Sequence, residues 1–133
     1  MIKVGTLTFH RACNNGAVLQ AQALVDALNN IPEVKAEIIN YRCEKIDYAY
    51  TPQFCFYNCT PIKGAIKFLL RAKSIEDRNV RFNIFRKNYL TISDVEYDQN
   101  SINEASSRYD LIICAAPFTE EELKKIDQCA LSL

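Results

Sequence analysis

Tryptophan, net charge and long uncharged runs are all missing from this sequence. With 16 basic and 16 acidic side chains in 133 residues, the composition gives no argument for a nucleic-acid partner, because binding to a phosphate backbone draws on an excess of Lys and Arg. No uncharged run reaches the ~18 residues of a membrane-spanning helix. The first residues also lack the pattern of a secretory signal peptide. We therefore expect a cytoplasmic protein without an integral membrane segment.

Common phosphate-binding and zinc-binding motifs are missing as well. Neither G-x-G-x-x-G nor G-K-[ST] occurs, which excludes the usual dinucleotide fingerprint and the P-loop. Among six cysteines, only Cys55 and Cys59 lie close together, and no second pair has zinc-finger spacing. The only histidine, His10, and Cys13 would complete a four-ligand site only by a coincidence of folding. We expect reduced thiols, since nothing directs the chain to an oxidising compartment. From the spacing of the cysteines and the missing motifs, we expect no metal and no cofactor.

The first forty residues predict a strand, a helix and a second strand. Apolar residues make up 49% of the chain and charged residues 24%, which is typical of a folded soluble domain. The β-branched run IKVGTLTF indicates a strand, and VKAEIINY indicates another. Between them, Ala17, Ala21, Leu24 and Leu28 fall on one stripe of a helix. Such a unit predicts a right-handed crossover between two parallel strands.

The middle of the chain has a weaker pattern. Residues 44–60 are aromatic and without a regular period, so we expect a long excursion there. Thr60 then caps a helix that begins at Pro61. A second helix is predicted over roughly 75–88.

The last part of the chain returns to a strand and a helix. A short helix through Ala105 is predicted to precede a buried strand over 111–115. Residues 119–133 place acids first and lysines later, as in a helix that complements its own dipole. The predicted fold class is α/β, with a parallel sheet of at least three strands.

The loop between the first strand and the first helix is unusually polar. Its polar residues and its glycine are Thr8, His10, Arg11, Asn14, Asn15 and Gly16. Ligands of parallel α/β sheets bind where strands end and helices begin, and a helix N-terminus offers unpaired N–H groups and partial positive charge. The loop therefore predicts a site for a phosphate, a carboxylate or a sugar. The alternative is turn and cap chemistry, with Asn14 or Asn15 as N-cap and His10 on the surface.

Two residues of this loop have reactive side chains. His10 is a candidate general base, although no carboxylate partner lies nearby in the sequence. Cys13 lies close to a helix start, a position that lowers the pKa of a thiol and favours a nucleophile. No base for Cys13 is identified from the sequence.

The charge is balanced overall but unevenly distributed. Residues 63–87 carry eight cations and two acids, whereas residues 94–127 carry three cations and nine acids. Solvated helix faces of opposite sign are the simpler interpretation. The alternatives are a basic surface for an anionic ligand, or an interaction protein that sets its basic segment against an acidic partner or its own acidic segment.

Short motifs in residues 1–42 form a recognisable arrangement. They are Thr8-Phe9-His10, the series Asn14, Gly16-Ala17 and Leu19-Gln20-Ala21, and Asn40-Tyr41-Arg42 at the end of the second strand. This order resembles the start of the polysaccharide pyruvyl transferase family, whose members have T-F-H, then N-x-G-A-x-L-Q-A, then N/D-Y-R. Residues 81–93 are also similar to the family's F-x-x-F-x-x-x-x-L-x-L-S segment.

The resemblance implies a fold and an activity. Residues 1–133 would form one Rossmann-like α/β domain, a parallel sheet with flanking helices, as the N-terminal half of a glycosyltransferase-B-like enzyme whose second domain lies outside these residues. Such enzymes transfer the enolpyruvyl carbons of phosphoenolpyruvate to a sugar as a pyruvate ketal, in exopolysaccharide biosynthesis. The implied partners are a sugar or lipid-linked saccharide, and a second domain or a second copy of the chain.

The resemblance also implies roles for the polar loop. His10 and Arg11 would be catalytic, with Arg11 contributing positive charge toward phosphate. The implied substrate-binding residues are Thr8, Asn14, Asn15, Gly16 and Gln20.

One departure supports a different function. After the strand that follows Tyr109-Asp110, the family continues with G-S-D-Q-x-W, whereas this chain has Cys114-Ala115-Ala116-Pro117. The alternative is therefore a non-catalytic sugar- or phosphate-binding, or regulatory, half-domain.

Overall fold

A parallel sheet organises the fold. A computed structural model describes residues 1–57 and 59–115, and its strands are β1 (Ile2–Leu7), β2 (Val34–Tyr41), β3 (Ile92–Tyr97) and β4 (Leu111–Cys114). They lie in the order β3-β2-β1-β4, and all neighbours are parallel. The predicted α/β class and the minimum of three strands are confirmed. This order and its flanking helices fit a Rossmann-like arrangement.

Helix α1 (Asn15–Asn29) connects β1 to β2 and covers one face of the sheet. Asn14 is its N-cap, because the Oδ1 atom accepts hydrogen bonds from the backbone N–H groups of Gly16 and Ala17 at 2.9 and 3.4 Å. The buried positions of α1 are Val18, Ala21 and Val25. The predicted strand–helix–strand unit is confirmed, with its buried stripe shifted toward the two valines.

The core consists of two clusters on opposite faces of the sheet. One cluster joins α1 to the strands and contains Val4, Ala21, Val25, Ala36 and Ile38. The other contains Leu7, Ile39, Tyr97, Ala105 and Tyr109. Successive residues of a strand point to opposite faces, so β1 and β2 contribute to both clusters. Burial on both faces is typical of parallel sheets.

The connection from β2 to β3 is more regular than the sequence suggests. It contains α2 (Glu44–Ala49), a 3₁₀ turn (Pro52–Phe56) and α3 (Pro61–Tyr89), so the expectation of an irregular excursion over 44–60 is wrong for α2 and the turn. Thr60 and Pro61 begin α3 as predicted. The two predicted helices are one helix of 29 residues, because no Gly or Pro interrupts residues 65–89.

Strand β3 is not predicted by the sequence pattern. It is an edge strand whose Asp94, Val95 and Glu96 are all exposed, so the alternation that marks a half-buried strand is lost. The predicted short helix through Ala105 is a 3₁₀ helix (Ile102–Ser107), and β4 matches the position of the predicted strand over 111–115. The prediction that this strand is buried is wrong, because β4 is last in the order of the described strands and its Leu111 and Cys114 are exposed. The predicted helix over 119–133 lies outside the described residues.

Gly5 in β1 provides a test of this packing. A Cβ atom there would lie 2.7 Å from Cδ1 of buried Ile39 and 3.0 Å from Cδ2 of Tyr109. We therefore expect Gly5→Ala to lower the free energy of unfolding by about 1–3 kcal/mol, measured by chemical denaturation. Gly16→Ala is the control, since its Cβ would meet only Asn14 Oδ1 at 3.4 Å. Equal losses in the two variants would contradict the packing described here.

Candidate functional site

The polar loop over 8–14 lies at the carboxyl edge of the sheet. It follows the end of β1, turns through a hydrogen bond from Ala12 N–H to the Phe9 carbonyl at 3.1 Å, and ends at the cap of α1. The Arg11 guanidinium reaches Asn40 at the end of β2 and Glu96 near the end of β3. The loop therefore occupies the edge where parallel α/β sheets bind ligands.

His10 is buried, which excludes the surface position considered from the sequence. Its side chain is 1% exposed, and its Nδ1 lies 3.3 Å from the Thr8 carbonyl oxygen. Because a carbonyl can only accept a hydrogen bond, Nδ1 carries the proton and Nε2 presents a lone pair. Burial lowers the pKa of His10 to about 4 from 6.5. The imidazole is therefore neutral at pH 7.

The Nε2 atom of His10 is buried and has no hydrogen-bond partner in the described part of the chain. The side chain of Asn40 lies near the ring and favours its protonated form, but it makes no hydrogen bond of normal geometry with Nε2. Buried polar atoms normally have partners, so an orphaned acceptor of this kind calls for an explanation. A ligand that donates a hydrogen bond would provide one once the side chains that cover Nε2 move, because the atom is closed to solvent in this structure.

A cavity of about 230 Å³ opens beside His10. Its lining residues are His10, Arg11, Asn40, Asn83, Arg86, Lys87 and Ile92. Three of these are cations and none is an acid, so the charged side chains that line the cavity are all positive. The lining offers the acceptor nitrogen of His10, two asparagine amides and three cations. This set suits a ligand that combines negative charge with hydroxyl groups.

Arg11 is already paired with carboxylates. Its Nε lies 3.4 Å from Asp47 Oδ1, and its Nη1 lies 3.5 Å from Glu96 Oε2. Arg42 contacts the same two carboxylates at 2.8 and 3.6 Å. The positive charge of Arg11 is therefore shared with the protein, and an anionic ligand would compete for it.

Arg86 fixes the loop from the other side. Its Nη1 donates hydrogen bonds to the backbone carbonyls of His10 and Arg11, and its Nη2 donates to Asn83 Oδ1 at 2.7 Å. Burial lowers the pKa of Arg86, although a guanidinium remains protonated in proteins. Within the described ranges no carboxylate lies within ion-pair distance of Arg86. Its charge is thus available to the cavity.

Cys13 is joined to the neighbouring helices through Asn79. The thiol donates to Asn79 Oδ1 at 3.0 Å, and Asn79 Nδ2 donates to the Tyr50 carbonyl at 2.6 Å. Cys13, Cys43, Cys55 and Cys59 have free thiols, and Cys59 Sγ donates to the Cys55 carbonyl at 3.0 Å. Among the described residues, no group of three or more His, Cys, Asp or Glu side chains could hold a metal ion.

The structure distributes the predicted site residues among different environments. His10 and Arg11 line the same cavity, whereas Asn15 lines a second cavity of about 250 Å³ with Phe82 and Phe85 of α3. Thr8 is buried, with no hydrogen-bond partner for its Oγ1 among the described residues. Asn14 Oδ1 is used by the helix cap. Gly16 and Gln20 are exposed on α1 and line neither cavity.

Several residues of the cavity are not predicted as site residues from the sequence. They are Asn40, Asn83, Arg86, Lys87 and Ile92. Arg86 and Lys87 belong to the basic run over 63–87, for which solvated faces are the simpler interpretation. The available signal is the motif Asn40-Tyr41-Arg42, which places a polar residue at the carboxyl end of β2.

Comparison with known proteins identifies no relative: no protein-family model, curated protein or solved structure matches the chain. The described residues include no helix with the length and apolarity needed to cross a membrane. Function is therefore inferred from the loop motifs, the cavity and the charge distribution.

Replacing Arg86 tests whether this residue holds the loop. Arg86→Met leaves two partly buried carbonyls without their donor, so we expect the free energy of unfolding to fall by about 1–3 kcal/mol. Lys87→Met removes an exposed neighbouring cation and should change it by less than about 0.5 kcal/mol. Denaturant titration of both variants measures the difference, and equal effects would show that Arg86 is not structural.

The buried neutral histidine also predicts how stability depends on pH. Well above pH 6.5, His10 is neutral in both folded and unfolded states and contributes no pH dependence. As the pH falls from 6.5 to about 4, the unfolded chain takes up a proton that the folded chain excludes, so the free energy of unfolding decreases by about 3 kcal/mol. His10→Gln should lack this contribution. Parallel stability curves for the two proteins would contradict the prediction.

Proposed function

We propose that this chain is the N-terminal, Rossmann-like half of a pyruvyl-transferase-like enzyme of glycosyltransferase-B-like architecture. In this proposal, a complete enzyme transfers a pyruvyl ketal from phosphoenolpyruvate to a sugar of a cell-surface polysaccharide. The observation that carries the proposal is a cationic cavity with an orphaned histidine acceptor, located on the loop that bears the T-F-H and N-x-G-A motifs.

The charges of the cavity suit phosphoenolpyruvate. This donor carries a phosphate and a carboxylate, and each forms its strongest hydrogen bonds with cationic donors. Arg86 and Lys87 are free of ion pairs within the described residues, so neither must leave a carboxylate to bind the donor. Arg11 would join them only by giving up part of its contact with Asp47 and Glu96.

His10 suits the acceptor sugar. Its Nε2 lone pair can accept a hydrogen bond from a hydroxyl group, and its Nδ1 is held in place by the Thr8 carbonyl. A base with a pKa of about 4 is weak at pH 7. An anionic ligand in the cavity favours the protonated imidazole and raises this pKa. His10 thus becomes a stronger base when the donor is bound.

The proposed transfer forms two bonds from the sugar to the enolpyruvyl group and releases inorganic phosphate. Two sugar hydroxyl oxygens form bonds to C2 of the enolpyruvyl group, while C3 takes up one proton and the bond from C2 to the phosphate oxygen breaks. The second hydroxyl proton leaves with inorganic phosphate. His10 would accept a hydroxyl proton, and Arg86 and Lys87 would stabilise the departing phosphate. The second domain would supply the proton for C3.

A non-catalytic sugar- or phosphate-binding half-domain is the second candidate. Two observations favour it: Arg11 is paired with two carboxylates, and Cys114-Ala115 stands where the family has G-S of G-S-D-Q-x-W. Under this alternative the cavity still binds an anion, but no ketal forms. Binding and turnover therefore distinguish the two functions.

Calorimetric titration with phosphoenolpyruvate tests the binding step. We expect the chain to bind it, and Lys87→Met to weaken binding by about tenfold because one charge-assisted contact is lost. Arg81→Met is the matched control, since Arg81 lies on the same helix but lines the other cavity. Equal weakening by both variants would indicate non-specific attraction to the basic helix.

Turnover is measured with phosphoenolpyruvate and candidate sugars or lipid-linked saccharides. Ketal formation is detected by mass spectrometry and phosphate release by phosphorus NMR. A longer native form that includes a second domain is expected to be active. Binding without turnover in both forms would support the non-catalytic alternative, and absence of both would sink the proposal.

A further inference from the structure

Among residues 1–57 and 59–115, the N-terminal half of α3 packs against the 3₁₀ turn on one side. Gly64 and Phe68 face the 3₁₀ turn, where the Phe56 and Phe68 ring centroids are 5.8 Å apart. A Cβ atom on Gly64 would overlap the Phe56 ring, so helix and turn are in close contact. The remaining sides of this half-helix face away from that contact.

An apolar face lies on the side of the helix away from the packed side and is open to solvent. Ile62, Ile66, Leu69 and Leu70 are 76%, 53%, 82% and 78% exposed. They occupy positions i, i+4, i+7 and i+8 of one helix and so share a single face. Four large aliphatic side chains together are more than the scattered apolar residues of an ordinary surface.

A basic stripe borders this apolar face. Lys63, Lys67 and Arg71 are exposed at positions i, i+4 and i+8. None of them forms an ion pair with another described residue, and residues 60–75 contain no acid. The half-helix thus presents adjacent apolar and cationic surfaces without internal neutralisation.

We infer that this surface of α3 binds an anionic phospholipid membrane, with the helix lying in the interface. Helices that lie in this plane combine an apolar face, buried to the depth of the acyl chains, with Lys and Arg that contact lipid phosphates. The four aliphatic side chains supply the first element, and the basic stripe supplies the second. A second copy of the chain suits the surface less well, because a symmetric pairing of this face brings like charges together.

The opposite half of α3 carries Arg86 at the candidate site. Arg86 lies 16 residues after Leu70, or about 24 Å along the helix axis. Membrane binding would hold the cavity near the bilayer surface, where a saccharide attached to a lipid is found. The inference stands on the exposed surface alone and does not require the proposed function.

Vesicle co-sedimentation tests the inference with the full chain. We expect binding to vesicles made of equal parts phosphatidylglycerol and phosphatidylcholine, and much weaker binding to phosphatidylcholine alone. High ionic strength should weaken the interaction. Leu69→Ser combined with Leu70→Ser should lower the partition coefficient by at least about tenfold. Lys63→Gln and Lys67→Gln should each lower it by about fivefold.

Matched variants on another surface serve as controls. Ile31 is 51% exposed and Lys35 is exposed, both outside α3, so Ile31→Ser and Lys35→Gln should leave the partition coefficient unchanged. Circular dichroism verifies that every variant is folded.

Four results would overturn the inference. Binding could be insensitive to phosphatidylglycerol, or unaffected by the double leucine variant. The chain could form a dimer that requires Leu69 and Leu70 and show no affinity for vesicles. Finally, binding could arise only after Glu120, Glu121 and Glu122 are replaced by Gln, which would show that the chain's own acidic segment covers the surface.

Discussion

The contact of Arg86 with two backbone carbonyls of the polar loop determines the arrangement of the candidate site. One guanidinium nitrogen binds the carbonyls of His10 and Arg11, and the other binds Asn83 on the same helix. This contact joins the far end of α3 to the carboxyl edge of the sheet. It also brings a cation into the cavity without a carboxylate beside it in the described part of the chain. A lysine could supply the charge but not the forked geometry.

The position of the loop explains the unusual state of His10. Its ring is enclosed, its Nδ1 proton is fixed by the Thr8 carbonyl, and burial keeps it neutral. Arg11 and Arg86 disfavour a second proton on the ring, and no N–H group of the described residues donates to Nε2. A ligand with both negative charge and a hydroxyl donor would compensate the charge and pair the acceptor. The unmet hydrogen bond is thus the strongest indication of function in the described residues.

Much of the framework could be predicted from the sequence. The cap at Asn14, the parallel pair and the start of α3 all follow from local signals that no tertiary contact overrides. Edge strand β3 could not be predicted, because exposed polar residues occupy its middle.

The candidate site was only partly predictable. His10 and Arg11 come from the loop itself, whereas Arg86 and Lys87 arrive from a helix 75 or more residues away in the chain. Only the fold reveals such a contact. The burial of His10 was likewise invisible, since a polar loop gives no periodic signal of burial.

Nitrogen-15 NMR of His10, the only histidine in the chain, tests the central claim most directly. A buried neutral acceptor predicts an imidazole protonated at Nδ1, a titration midpoint near pH 4, and an upward shift of that midpoint when phosphoenolpyruvate is added. A midpoint near 6.5, a proton on Nε2, or a titration curve indifferent to phosphoenolpyruvate would contradict it.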